Sequence, residues 1–62
     1  MAVTYSTRAG RFVVQIDVQA GDRYFVIVRN TRHAAAVERV SCDNARHAHV
    51  VATALKAKYE VR

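Results

Sequence analysis

The chain contains no proline, no tryptophan, one cysteine and two glycines among its 62 residues, and it has no long hydrophobic run. Because Cys42 has no second cysteine to pair with, an intramolecular disulfide and a cysteine-rich metal cluster are both excluded. No stretch approaches the roughly 18 apolar residues of a membrane-spanning helix, and residues 1–11 are too polar for a secretory signal. These absences predict a protein that is not exported and resides in the reducing cytoplasm.

The short length limits the architecture. Sixty-two residues allow one hydrophobic core, so we expect a single small domain over residues 1–62. They are too few for a dinucleotide-binding fold, a barrel or a deep catalytic cleft. The hydrophobic content of 52% argues against intrinsic disorder, and no linker or low-complexity segment interrupts the chain.

Acidic residues are scarce. Five Asp and Glu stand against ten Lys and Arg, which gives a formal net charge of +5. Eight of the ten cations are arginines, whose planar guanidinium suits phosphate and carboxylate and can stack on bases. This excess predicts an acidic partner, either nucleic acid or an acidic protein surface.

Alternation of apolar and polar residues predicts strands in the first half of the chain. It is clearest over Arg11–Val18, and a β-branched and aromatic segment, Arg23–Arg29, follows as the return strand of a hairpin. Gln19–Asp22 supplies the turn. A second Ala-Gly pair at Ala9-Gly10 indicates another turn, preceded by a short additional strand over Ala2–Thr7.

The second half of the chain ends in a helix. Ala34–Val40 has good helix propensity, but we favour a strand because a lone hairpin is poorly stable in water. Ser41 and Asp43 are the candidate N-caps, with Asn44 in the first turn. From there to residue 59 apolar residues recur every three or four positions and form one stripe: Ala48, Val51, Ala52, Leu55 and Tyr59.

The predicted fold class is therefore α+β, a three- or four-stranded antiparallel sheet with one C-terminal helix packed on one face. The face that meets the helix would consist of alternate strand residues: Phe12, Val14, Ile16, Val18, Tyr24, Val26 and Val28. The outward face would then carry Val13, Gln15, Asp17, Arg23, Phe25, Ile27 and Arg29. A one-residue shift of the hairpin register would exchange the two sets in the second strand.

Phe25 and Ile27 would lie in water on that outward face, and an exposed apolar patch usually marks a contact surface. Either a partner or a second copy of the chain in a homodimer would cover it.

The sequence contains few combinations of residues that could form a catalytic or metal-binding site. His47 and His49 are two positions apart on the helix and point about 200° apart, so they cannot easily share an ion. Asp43 and His47 supply only two ligands, and Cys42 with His47 lacks an orienting third group. We expect no enzyme activity, no metal and no cofactor.

The strand–strand–strand–helix order of Phe12–Tyr59 resembles two nucleic-acid-binding layouts. In both, the segment V-S-C-D-N-A-R-H-A-H-V-V-A-T-A-L stands where the helix starts. One is the AP2-like domain of plant factors and phage-type integrase arms; the other is the C-terminal part of the double-stranded-RNA-binding domain. The chain lacks the aromatic and glycine pattern of the first and the lysine-rich helix start and leading helix of the second. The resemblance to the first implies a sheet that enters the DNA major groove, and neither resemblance assigns a residue.

Charge and architecture together predict a small basic nucleic-acid-binding module, for DNA or RNA, that contacts phosphates through arginines on strands and turns. The alternative is a phage-type protein-binding inhibitor that blocks an acidic surface of a host or defence enzyme. Both hypotheses use the same candidate residues: Arg11, Arg23, Phe25, Ile27, Arg29, Arg32, Arg39 and Arg46.

Overall fold

Four antiparallel strands and one helix make up the computed structural model, which describes residues 2–33 and 35–61. The elements are β1 Ala2–Ala9, β2 Phe12–Gln19, β3 Arg23–Asn30, β4 Ala36–Cys42 and α1 Ala45–Glu60. The strands lie in the order β1-β2-β3-β4, and the helix packs on one face of the sheet. The α+β prediction is confirmed, with four strands. The ambiguous segment is a strand, although Ala34 lies outside the described residues.

Two tight turns shape the β1–β2–β3 meander. Ala9 pairs with Phe12, which leaves Gly10 and one further residue to reverse the chain, and Gly10 takes φ +60°. A Cβ on Gly10 would also lie 3.4 Å from the carbonyl oxygen of Tyr59, so both the backbone and the space at this turn favour glycine. In the second turn Gly21 and Asp22 both have positive φ.

Two residues lie between the end of β4 at Cys42 and the start of the helix at Ala45. The side chain of Asn44 accepts a 2.8 Å hydrogen bond from the backbone N–H of His47, so Asn44 is the N-cap. The prediction of Ser41 or Asp43 as cap was wrong. β4 continues to Cys42, which pairs with Tyr24, and this pairing delays the helix start.

The core lies between the helix and the sheet. Val14 pairs with Val28 and Ile16 with Val26, so the even-numbered residues of β2 and β3 face the helix, and the predicted register is confirmed. The predicted helix stripe faces them, with Val51 half-buried and the other four residues buried. At the far end of the helix, the Tyr59 ring lies 4.8 Å from that of Phe12.

Glu38 of β4 binds two side chains of the helix on this face. The Tyr59 hydroxyl donates a 2.6 Å hydrogen bond to the Glu38 carboxylate, and the Lys58 ammonium lies 3.3 Å from the same oxygen. In the part of the chain that the structure describes, no helix is long and apolar enough to cross a membrane.

Candidate nucleic-acid interface

The sheet face opposite the helix, which we call the outer face, is built from three cross-strand rows and one adjoining pair. The strand pairing places Val3, Asp17, Phe25 and Ser41 in one row, Ser6, Gln15, Ile27 and Arg39 in the next, and Arg8, Val13, Arg29 and Ala36 in the third. Gln19 and Arg23 form the adjoining pair at the opposite end. Four arginine positions on three strands therefore share a face with one carboxylate.

A stacked pair occupies the middle of the outer face. The guanidinium carbon of Arg39 lies 4.4 Å from the centroid of the Phe25 ring, which is the geometry of a cation–π contact. The two residues lie in adjacent rows of neighbouring strands, and such diagonal neighbours are within reach of long side chains. Arg39 is exposed and Phe25 is half-buried. Solvent therefore reaches the guanidinium more readily than the ring.

Ile27 is buried on this face, with only 5% of its surface exposed. The prediction that it lies in water was therefore wrong. It stands between Gln15 and Arg39 in its row and next to Phe25 along its strand, and long side chains on an open sheet can cover a central residue. A second copy of the chain is therefore not needed to cover Ile27, and the homodimer stays a prediction.

Asp17 is also buried, at 2% exposure. The Gln15 side-chain amide donates a 2.9 Å hydrogen bond to its carboxylate. The prediction that Asp17 faces outward is confirmed, and the side chain is covered there. The arginines of the outer face consequently meet no solvent-exposed carboxylate among its described residues.

The eight candidate residues fall into three places. Arg23, Phe25, Ile27, Arg29 and Arg39 share the outer face, Arg11 and Arg32 line a pocket at one end of the sheet, and Arg46 lies on the solvent side of the helix. Arg46 belongs with His49, Val50 and Thr53 around an open, mostly apolar hollow of about 520 Å³. It is thus separated from the outer face by the thickness of the domain.

The pocket at the end of the sheet, which we call the turn-end pocket, has a volume of about 370 Å³. It forms where the β1–β2 turn meets the segment after β3, and its lining is polar: Arg8, Arg11, Asn30, Thr31, Arg32 and His33. Thr31 joins the two turns, because its backbone N–H and its hydroxyl both donate to the Arg11 carbonyl, at 3.1 and 3.0 Å.

Several of these residues were not among the sequence candidates. Arg8 reaches both the outer face and the turn-end pocket because β1 pairs with β2 as far as Ala9. His33 and Thr31 line the pocket because the turn containing Arg11 lies beside the segment after β3. The only sequence signal for this was the density of arginines on both sides of the predicted turns.

Cys42 is buried, and its thiol donates a weak hydrogen bond to the Val40 carbonyl at 3.9 Å. Burial, and secondarily the neighbouring charge of Asp43, raise the pKa of the Cys42 thiol, which disfavours the nucleophilic thiolate. The His49 ring packs edge-on against Tyr5 at 5.2 Å. Among residues 2–33 and 35–61 no group of three metal-binding side chains comes together.

No protein-family model, curated protein or solved structure matches this chain. The two nucleic-acid-binding layouts that share its strand–helix order are therefore not supported by a match. The case for a function depends on the geometry of the outer face and of the turn-end pocket.

Proposed function

We propose that this protein binds single-stranded nucleic acid on the outer face of its sheet. The observation that carries the proposal is the Arg39 guanidinium stacked over Phe25 at 4.4 Å, in the middle of a face with four arginine positions. The proposal extends to a non-enzymatic role in the cytoplasm, where a lone buried thiol stays reduced.

Charge favours a polyanion. The outer face carries Arg8, Arg23, Arg29 and Arg39, and its one carboxylate is covered and hydrogen-bonded to Gln15. Arg23 and Arg29 stand at the two ends of β3, which places them about 20 Å apart at the usual rise of a strand. A phosphate backbone running along β3 would meet guanidinium groups at both ends and Arg39 beside its middle.

Stacking favours unpaired bases. An exposed guanidinium plane held in place by a ring beneath it is a platform on which a base can stack, and base stacking is tolerant of sequence. In a duplex the base faces are already stacked on one another. The same face would therefore prefer a single strand and show little sequence preference.

The test compares two double variants with equal loss of charge. Arg23→Gln with Arg39→Gln alters the outer face, whereas Arg46→Gln with Lys56→Gln alters the solvent side of the helix. Fluorescence anisotropy would measure the affinity for a single-stranded DNA, a single-stranded RNA and a duplex at two salt concentrations. We expect the outer-face pair to lose at least tenfold in affinity, on the order of two charge-assisted contacts, and the helix pair about twofold.

Salt dependence separates phosphate binding from other contacts. Each phosphate neutralised on a single strand contributes about −0.7 to the slope of log affinity against log salt. The outer-face pair should reduce the magnitude of this slope by about 1.4, since two phosphate contacts are lost. Equal losses in both double variants would contradict the proposal, as would a preference for the duplex.

The protein-inhibitor hypothesis is decided by the same variants. Failure of the wild-type protein to bind any oligonucleotide would overturn nucleic-acid binding. Specific retention of one acidic protein from a nuclease-treated lysate, lost in the outer-face pair and kept in the helix pair, would then favour an inhibitor.

A further inference from the structure

The turn-end pocket holds more hydrogen-bond donors than it needs for its own structure. Each guanidinium carries five N–H donors and no acceptor. Of those on Arg8, one is used, because its Nε donates to the Gly10 carbonyl at 3.2 Å. Within residues 2–33 and 35–61, no carboxylate forms an ion pair with Arg8, Arg11 or Arg32.

Three acceptors around the pocket already receive hydrogen bonds. The Arg11 carbonyl accepts two hydrogen bonds from Thr31, and the Asn30 side-chain oxygen accepts a 2.8 Å bond from the Arg32 backbone N–H. The Gly10 carbonyl accepts from Arg8. The guanidinium groups of the lining arginines can only donate hydrogen bonds, so a ligand that suits them must bring acceptors and negative charge.

We infer that the turn-end pocket binds a phosphate group, and that it holds the terminal phosphate of a nucleic-acid strand lying on the outer face. Three arginines and His33 are among the residues that line a concave space of about 370 Å³, at the small end of the range for ligand pockets. A terminal phosphomonoester carries about −1.5 to −2 charges at pH 7, whereas an internal phosphodiester carries one. Three guanidiniums in one concavity favour the doubly charged group.

The position of Arg8 connects the pocket with the outer face. Arg8 belongs to the same cross-strand row as Val13 and Arg29, and it also lines the pocket. A strand that follows β3 toward Arg29 therefore ends beside the pocket. This terminal-phosphate assignment rests on the proposed function, whereas phosphate binding by the pocket does not.

The first experiment uses inorganic phosphate alone. Backbone amide shifts in NMR spectra would be followed during a phosphate titration, with chloride at matched ionic strength as control. We expect saturable shifts at Gly10, Thr31 and Arg32 in the wild type and in the outer-face pair Arg23→Gln with Arg39→Gln. We expect them to vanish in Arg11→Gln with Arg32→Gln, with chemical shifts elsewhere showing that this variant is folded. Absence of saturable shifts in the wild type would overturn the inference, whatever the outcome for oligonucleotides.

The second experiment identifies the source of the phosphate. Oligonucleotides of one sequence would carry a 5′-phosphate, a 3′-phosphate or no terminal phosphate. We expect one phosphorylated form to bind the wild type at least about threefold more tightly, as one or two charge-assisted hydrogen bonds predict. Arg11→Gln with Arg32→Gln should abolish this advantage, whereas the outer-face pair should weaken all three oligonucleotides by the same factor.

The two proposals fail in different ways. Saturable phosphate binding without oligonucleotide binding would retain the pocket as a phosphate site and overturn the function of the outer face. Oligonucleotide binding without any advantage for a terminal phosphate would overturn the assignment of the strand end to the pocket.

Discussion

Both faces of the sheet bury side chains, but the helix covers only the inner face. On the inner face Ile16 is 1% exposed beneath the 16-residue helix. On the outer face Ile27 is 5% exposed without a helix above it, and its cross-strand neighbours are Gln15 and Arg39. A helix is held by many contacts at once, whereas single long side chains change rotamer without disturbing the backbone. The helix therefore stays in place over the inner face, whereas a ligand can rearrange the side chains of the outer face.

The largest difference between the faces should appear when the two isoleucines are shortened. Ile16→Ala should lower the free energy of unfolding by about 3 kcal/mol, because the helix and the facing strand collapse only partly into the space. Ile27→Ala should cost about 1–2 kcal/mol, since the stems of neighbouring side chains can fill the gap and water can reach it. Urea denaturation monitored by circular dichroism measures both values.

Equal losses of unfolding free energy in the two alanine variants would show that the surroundings of Ile27 are as rigid as those of Ile16. Ile16→Val and Ile27→Val serve as controls, because they remove one methylene group and keep the β-branched shape. Ile16→Val should again lose more unfolding free energy than Ile27→Val, with both losses about 1 kcal/mol or less.

Tyr59→Phe should weaken the attachment of the helix that covers the inner face. The substitution keeps the ring that packs on Phe12 and removes the hydroxyl that donates to Glu38 at 2.6 Å. We expect a loss of about 1 kcal/mol in the free energy of unfolding, because Glu38 keeps its Lys58 partner and is partly solvated. A loss no larger in the wild-type background than in Glu38→Ala, which has no acceptor for the hydroxyl, would show that the hydrogen bond contributes nothing, and a double-variant cycle measures this directly.

The inner face was largely predictable from the sequence, for a physical reason. Alternation along β2 places Val14 and Ile16 on one side whatever the rest of the chain does. The apolar stripe of the helix, with Ala48 and Ala52 small enough for close approach, can only be buried against that side. Local periodicity and the need to cover apolar surface therefore lead to the same arrangement.

The outer face and the turn-end pocket were less predictable, because they depend on contacts between distant segments. Ile27 is buried on the face away from the helix, and beside it Arg39 of another strand stacks over Phe25; the periodicity of the sequence indicates neither arrangement. The pocket exists because Thr31 bonds to Arg11 across the sheet end, and neither turn alone indicates it. The helix cap is Asn44 because β4 continues two residues beyond the predicted end at Val40, to Cys42.

Asp17→Asn should strengthen nucleic-acid binding by the outer face. The side chain remains able to accept the hydrogen bond from Gln15, while the one negative charge of the face is removed. We expect an affinity gain of about twofold to fivefold at low salt, shrinking at higher salt as screening removes the repulsion. Glu60→Gln removes one negative charge from the helix side and should change the affinity much less. Equal gains in both variants would place the bound strand elsewhere.

The smallest predicted effect concerns Cys42, the buried thiol at the end of β4. Burial, and then the charge of Asp43, raise its pKa above the ordinary value of 9.0, so the unfolded chain releases this proton at a lower pH than the folded protein does. The contribution to stability is therefore fully present below pH 9.0 and is lost as the pH rises through the folded pKa. Urea denaturation between neutral pH and alkaline pH should show a steeper loss for the wild type than for Cys42→Ala. Parallel pH profiles for the two proteins would mean that the thiol ionises as easily in the folded chain as in the unfolded one, and that this end of the inner face is open to water.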